Sequence, residues 1–143
     1  MSENIFKVFG KQTKETLLEI IAKCMDDYLF VYDLQNDTIE LSESAVDRFM
    51  ISENVMNDVA NDVLQVVYEE DRKMLQEHLT AIYEGKEKAH NLHYRWLDKE
   101  GMPVWVNCRG IVIDDSQGKP QYLVGCMNDF DKCNCLITNI ECC

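Results

Sequence analysis

No stretch of this chain comes near the roughly 18 consecutive apolar residues that a membrane-spanning helix requires. Its opening, Met1-Ser2-Glu3-Asn4, has neither the basic nor the apolar segment of a secretory leader, so a soluble, cytoplasmic protein is expected. Positive charge is equally scarce. Against 26 Asp and Glu stand 14 Lys and Arg, and the net charge of −12 repels phosphate backbones and anionic lipid. Neither nucleic acid nor a membrane surface is an expected direct partner. The seven cysteines are odd in number and lack framework spacing, which suits a reducing compartment better than a disulfide scaffold. Internal repeats and low-complexity linkers are absent from the 143 residues, a length suited to one domain with flanking helices.

Catalytic signatures are missing too. There is no Gly-x-Ser-x-Gly, no His-Glu-x-x-His and no phosphate-binding glycine loop. The carboxylates are spread along faces that read as solvated. A small-molecule enzyme is thus the least supported class. Cys133, Cys135, Cys142 and Cys143 crowd the end of the chain, but as Cys-x-Cys and Cys-Cys pairs. Zinc sites typically separate paired ligands by about two to four residues, so these cysteines read as a reduced tail and no metal is expected.

What is present is a run of strand and turn signals from Asn91 to Phe130. Two turns, Asp98-Lys99-Glu100-Gly101 and Asp114 to Pro120, divide it into three strands of an antiparallel meander. Ahead of it, Glu69 or Glu70 to Tyr83 reads as a helix, carrying Met74, Leu75, Leu79 and Ile82 at helical spacing, with Gly85 beyond its end. Tyr28–Leu34 and Thr38–Leu41 read as a hairpin around Gln35-Asn36-Asp37. Ser42 to Val67 breaks into short helical pieces, Ser44–Phe49 the clearest. Thr13–Met25 is predicted to be an amphipathic helix, with Leu17, Ile20, Ile21 and Cys24 on its apolar stripe.

That order resembles the PAS fold, and short motifs carry the resemblance to residue level. They are Tyr32-Asp33, Glu70-Asp71-Arg72, Tyr94-Arg95, Glu100-Gly101, Trp105-Val106, Gly118, and Gly125 with Asp129-Phe130. Together they are similar to the type with a DG…RW hairpin and a terminal G…DI signature. Ser42 departs from the pattern, since many relatives place asparagine there. The resemblance implies an α+β domain over 26–132: a five-stranded antiparallel sheet, short helices on one face, a flanking helix over 1–25 and a Cys-rich tail over 133–143. It also implies a non-catalytic sensory input module in cyclic di-GMP or histidine-kinase signalling. Such a module would bind a small apolar ligand or none, and pass a signal to a diguanylate cyclase, phosphodiesterase or kinase output domain. The alternative is a pure dimerisation module with a filled core.

By the same resemblance, strand alternation assigns the faces. Leu92, Tyr94, Trp96, Val104, Val106, Cys108, Leu123 and Met127 should face inward. All of these but Leu92 are the pocket candidates. Flavin-binding relatives place amides where Trp96, Val106 and Met127 stand, and their reactive helix cysteine has no counterpart between Ser44 and Tyr83. His78 lies about one turn past the usual haem-ligand position, which aligns with Met74. No cofactor is therefore expected. The outward set holds Trp105, Ile111, Tyr122 and Val124, which with Leu17, Ile20, Ile21 and Cys24 form the expected homodimer interface.

Overall fold

A computed structural model describes residues 27–129, together with 20, 21 and 24. Six strands form one antiparallel sheet in the order β3-β2-β1-β6-β5-β4. They are β1 (Tyr28–Asp33), β2 (Thr38–Leu41), β3 (Val55–Asn57), β4 (Ala89–Leu97), β5 (Pro103–Asp114) and β6 (Pro120–Asp129). Helices α1 (Glu43–Arg48), α2 (Val59–Asp62) and α3 (Arg72–Tyr83) follow β2, β3 and a 3₁₀ turn at Glu69–Asp71. The expectation of five strands is corrected to six. Strand β3 lies within the segment read as helical pieces and pairs Ile39 with Met56. It is only three residues long, too short for alternation to register against flanking helical signals.

The hairpins form where turn chemistry allows. Gly101 and Gly118 take φ of 80° and 81°, a left-handed conformation that costs glycine nothing. Asp98 Oδ1 accepts the backbone N–H groups of Glu100 and Met102, holding the first turn closed. At Ser42 the hydroxyl accepts the Leu29 N–H at 3.1 Å and the Ser42 N–H donates to the Leu29 carbonyl at 2.9 Å, extending the β1–β2 pairing one step past Phe30 and Leu41. Strands β1 and β6 lie side by side in the middle of the sheet, with Tyr28 opposite Met127.

One face of the sheet is buried. Phe30, Tyr32, Leu41, Trp96, Val106, Leu123 and Met127 meet Phe49, Val67, Leu75 and Ile82 from the helical side. The edge strand β4 is covered along part of its length: Leu97 N–H donates to Val66 and Tyr68 N–H to Arg95, both at 2.8 Å. Asp71 pins that cover. Its carboxylate accepts the Arg95 backbone N–H, Nε and a terminal guanidinium nitrogen at 2.8 to 2.9 Å. The guanidinium is sandwiched between the rings of Tyr68 and Trp105, at 4.4 and 4.5 Å. A second ion pair, Arg48 to Asp129 at 2.8 Å, ties α1 to the end of β6. Of the expected N-terminal helix, Ile20, Ile21 and Cys24 are helical and exposed. Leu17, the rest of that helix, Phe130 and the Cys-rich tail lie outside the described residues.

Candidate functional site

A cavity of about 40 Å³ lies between the sheet and its helical cover. Strands β1 and β2 contribute Phe30, Tyr32, Ile39 and Leu41 to its walls, and the helical side contributes Val59, Val63, Leu75 and Leu79. From the meander come Tyr94, Trp96, Cys108, Leu123 and Met127, five of the seven pocket candidates. Val104 and Val106 are buried in the core but do not reach the cavity. The structure adds His90, on β4 and 3% exposed. The strand signals in the sequence start the meander at Asn91, one residue past His90. Extending the inward alternation of Trp96, Tyr94 and Leu92 by one more step reaches it.

The polar groups in this wall are held neutral. Burial pushes the Cys108 thiol up to about 12 and raises the Tyr94 hydroxyl, which lies beside that thiol. Burial, with the nearby His78, pushes His90 down to about 4. The His78 ring sits 4.8 Å from that of His90, and its own pKa is lowered by burial against the pull of Glu87. His78 Nε2 and His90 Nδ1 are buried without hydrogen-bond partners, while the Trp96 indole N–H lies against the Tyr94 hydroxyl. His78 does not line the cavity, Met74 is exposed, and a space of this size does not admit a porphyrin or isoalloxazine ring without rebuilding the core.

A polar junction borders the cavity. The Tyr32 hydroxyl donates to Asp37 Oδ1 at 2.9 Å and also contacts the Tyr83 hydroxyl. Asp37 Oδ2 accepts the Val59 N–H at 3.1 Å. One carboxylate in the β1–β2 turn thereby holds the start of α2 and, through Tyr32, reaches the end of α3. Sequence reading placed Asp37 in a turn and saw nothing more, because neither partner is near it in the chain.

On the opposite face, Trp105, Ile111 and Val124 are exposed and Tyr122 is half-buried. Val31 and Ile113 join this surface, with Ile111 the most open at 67% exposure. Arg95 covers one face of Trp105, so the apolar patch is centred on Ile111 rather than on the tryptophan.

Acid should act on the buried histidine before it acts on the carboxylates. The folded-state pKa of His90 lies below its ordinary 6.5, so the unfolded chain binds more protons. The stability it contributes is complete above about pH 6.5 and drains away as pH falls toward 4, by about 3 kcal/mol. Urea melts at pH 7 and pH 4 measure this, and His90→Phe should flatten the difference. Parallel profiles for the two proteins would show that His90 is not the group being titrated.

The family model described as PAS fold matches residues 39–127. Among solved structures, the chain is similar to a sensory box histidine kinase/response regulator from Burkholderia thailandensis, with a TM-score of 0.61 and 16% identity over 87% of this chain and 95% of that one. It is also similar to the N-terminal domain of a diguanylate cyclase with PAS/PAC sensor from Marinobacter aquaeolei, at a TM-score of 0.62 and 17% identity, covering 76% and 98% of the two chains. A domain of a putative light and redox sensing histidine kinase from Haloarcula marismortui gives a TM-score of 0.61 at 17% identity, over 80% and 97%. Such identities speak to fold alone. No curated protein matches the sequence.

Proposed function

Because this chain belongs to the PAS family, we propose that it is a sensory input module that holds a small, mostly apolar ligand beneath its helices and relays occupancy to an output domain. The observation that carries this reading is the apolar cavity at the centre of the sheet, bordered by helices that a single carboxylate ties together. The output partner is of the kinase, diguanylate cyclase or phosphodiesterase class, the first two being the settings of the structurally similar domains. We read the module as non-catalytic, since the Cys108 thiol and the His90 ring in the cavity wall are buried and held neutral by that burial. No described helix is long and apolar enough to cross a membrane, and a cytoplasmic location fits this role. Native mass spectrometry of protein purified from its own source tests the reading. A retained small molecule supports sensing; bare chain throughout favours a module that only pairs.

The second reading, dimerisation, draws on the open outer face. Ile111, Ile113, Val124 and Val31 are exposed there, while Ile20, Ile21 and Cys24 are exposed on a helical segment of the same chain. Two exposed apolar surfaces on one chain are best buried by a two-fold pair. Removing the residues before Asp26 is expected to convert a dimer into monomer or aggregate. Sedimentation giving a soluble monomer with and without that segment overturns the dimer.

A further inference from the structure

The sheet ends in two unlike edges. Along β4 some backbone groups are taken up by Val66 and Tyr68, whereas β3 is the terminal strand on the other side. The hydrogen bonds of β2 show which groups of β3 are free. Ser42 N–H donates to the Leu29 carbonyl, and Leu41 N–H donates to the Asn54 carbonyl at 2.7 Å. Alternate residues of β2 thus turn toward β1 and toward β3, so Ile39 bonds with its register partner Met56. Val55 and Asn57, one step to either side, turn their N–H and C=O groups outward. These four groups have no partner among the described residues. Beside the open edge lies a groove of about 380 Å³, lined by Glu53, Met56, Asn57, Asn61, Asp62 and Gln65. Glu53 and Asp62 are exposed and form no ion pair with a described residue. Two cations border the groove, but both donate to backbone carbonyls, Lys99 to Ile51 at 3.0 Å and Arg72 to Val67 at 2.9 Å.

Sheet edges are commonly protected by short strands, lysine or proline. Strand β3 is short, at three residues, but holds neither lysine nor proline. The charges beside it are acidic, and they repel another copy of a chain whose net charge is −12. A basic segment is attracted instead. We propose that β3 is a docking edge for an extended, basic segment of a partner protein, which joins the six-stranded sheet as a further antiparallel strand. Residues opposite Val55 and Asn57 exchange the four free hydrogen bonds. The side chain between them, opposite the buried Met56, turns toward the groove that Glu53 and Asp62 line. Lysine or arginine fits there, with an apolar strand-former beside the exposed Val55. Backbone pairing supplies the attachment, and the central cation supplies the choice of partner.

The acetylated peptide amide Ser-Thr-Val-Arg-Val-Thr-Ser, titrated into the full chain, tests this. By NMR, the Val55 and Asn57 amides should exchange rapidly with solvent in the free chain and slow down when peptide is added. The Met56 amide, bonded to β2, should be protected throughout. N-methylating both valines deletes the peptide N–H groups that face β3 and keeps the charge, so binding should weaken about tenfold or more. Exchanging the arginine for glutamate should weaken it by a similar factor, an effect that added salt shrinks. Val55→Pro removes one outward N–H at an edge position, where proline is tolerated. It should weaken binding likewise and leave the urea midpoint nearly unchanged. If that variant does not fold, the N-methylated peptide decides on the wild type. Protected Val55 and Asn57 amides in the free chain would mean that the chain itself or a second copy already covers the edge, and would overturn the proposal. Equal binding of the arginine and glutamate peptides, binding that survives N-methylation, or no binding of the arginine peptide overturns it as well. Ligand sensing in the cavity stands or falls separately.

Discussion

Gly125→Ala is expected to leave the chain unable to assemble its sheet. Gly125 sits mid-strand in β6, opposite Phe30 of β1 on one side and Gly110 of β5 on the other. A methyl group there would overlap the Arg109 carbonyl oxygen and come within 2.6 Å of the Gly110 Cα and 2.8 Å of the Arg109 carbonyl carbon. All three are backbone atoms of β5, so no rotamer change relieves the clash. The loss should exceed about 4 kcal/mol, the range reserved for severe lesions, and a domain of this size has only about 5–15 to lose. Gly110→Ala is the control. Its methyl would meet the Leu123 Cδ1 at 3.1 Å and the Phe30 Cζ at 3.4 Å, side-chain atoms that can give, although the Val124 carbonyl oxygen is also close at 3.0 Å. A cost of about 1–3 kcal/mol is expected for it. Urea denaturation placing Gly125→Ala within about 1 kcal/mol of the wild type would mean that β5 and β6 are paired in another register.

Trp96→Ala should cost roughly 3–5 kcal/mol, the usual range for emptying a buried aromatic site. The indole packs edge-on against Phe49 with ring centroids 5.3 Å apart, and Phe49 in turn meets Tyr28 at 5.1 Å. Trp96 also sits at the bridge to Val67 that closes the sheet edge. Its removal therefore loosens α1, β1 and the β4 cover together. A urea melt showing under about 1 kcal/mol lost would mean that the inner and outer faces of β4 are exchanged. Trp96→Phe should be milder, since it retains an aromatic ring against Phe49.

Much of this architecture was legible because it is written locally. The two turns of the meander carry glycines where left-handed backbone is needed, and the alternation through Tyr94 and Trp96 fixes which face is buried. The helix ending near Gly85 announced itself by Leu75 and Ile82 at helical spacing, and both are buried. The parts that were missed depend on partners distant in the chain. Strand β3 exists because β2 offers it an edge, not because Val55-Met56-Asn57 demands extension. Asp37 binds Val59, 22 residues away, and its role has no local signature. Trp105 reads as an exposed apolar residue until Arg95 is found stacked upon it, held there by Asp71. His90 falls inside the meander because β4 starts at Ala89, two residues before the Asn91 that the strand signals suggest.

The pairing of Tyr28 with Met127 across the middle of the sheet has a consequence for modularity. Strand β1 begins at Tyr28 and its neighbour β6 ends at Asp129, and the two run in opposite directions, so these strand ends lie at the same end of one sheet. A host protein can accept the domain within a single surface loop without its own ends being pulled apart, because guest termini this close span the gap that a short loop already bridges. The same geometry makes the domain a convenient cassette: excised at these two points and spliced into an unrelated reporter, it should leave the reporter's fold undisturbed.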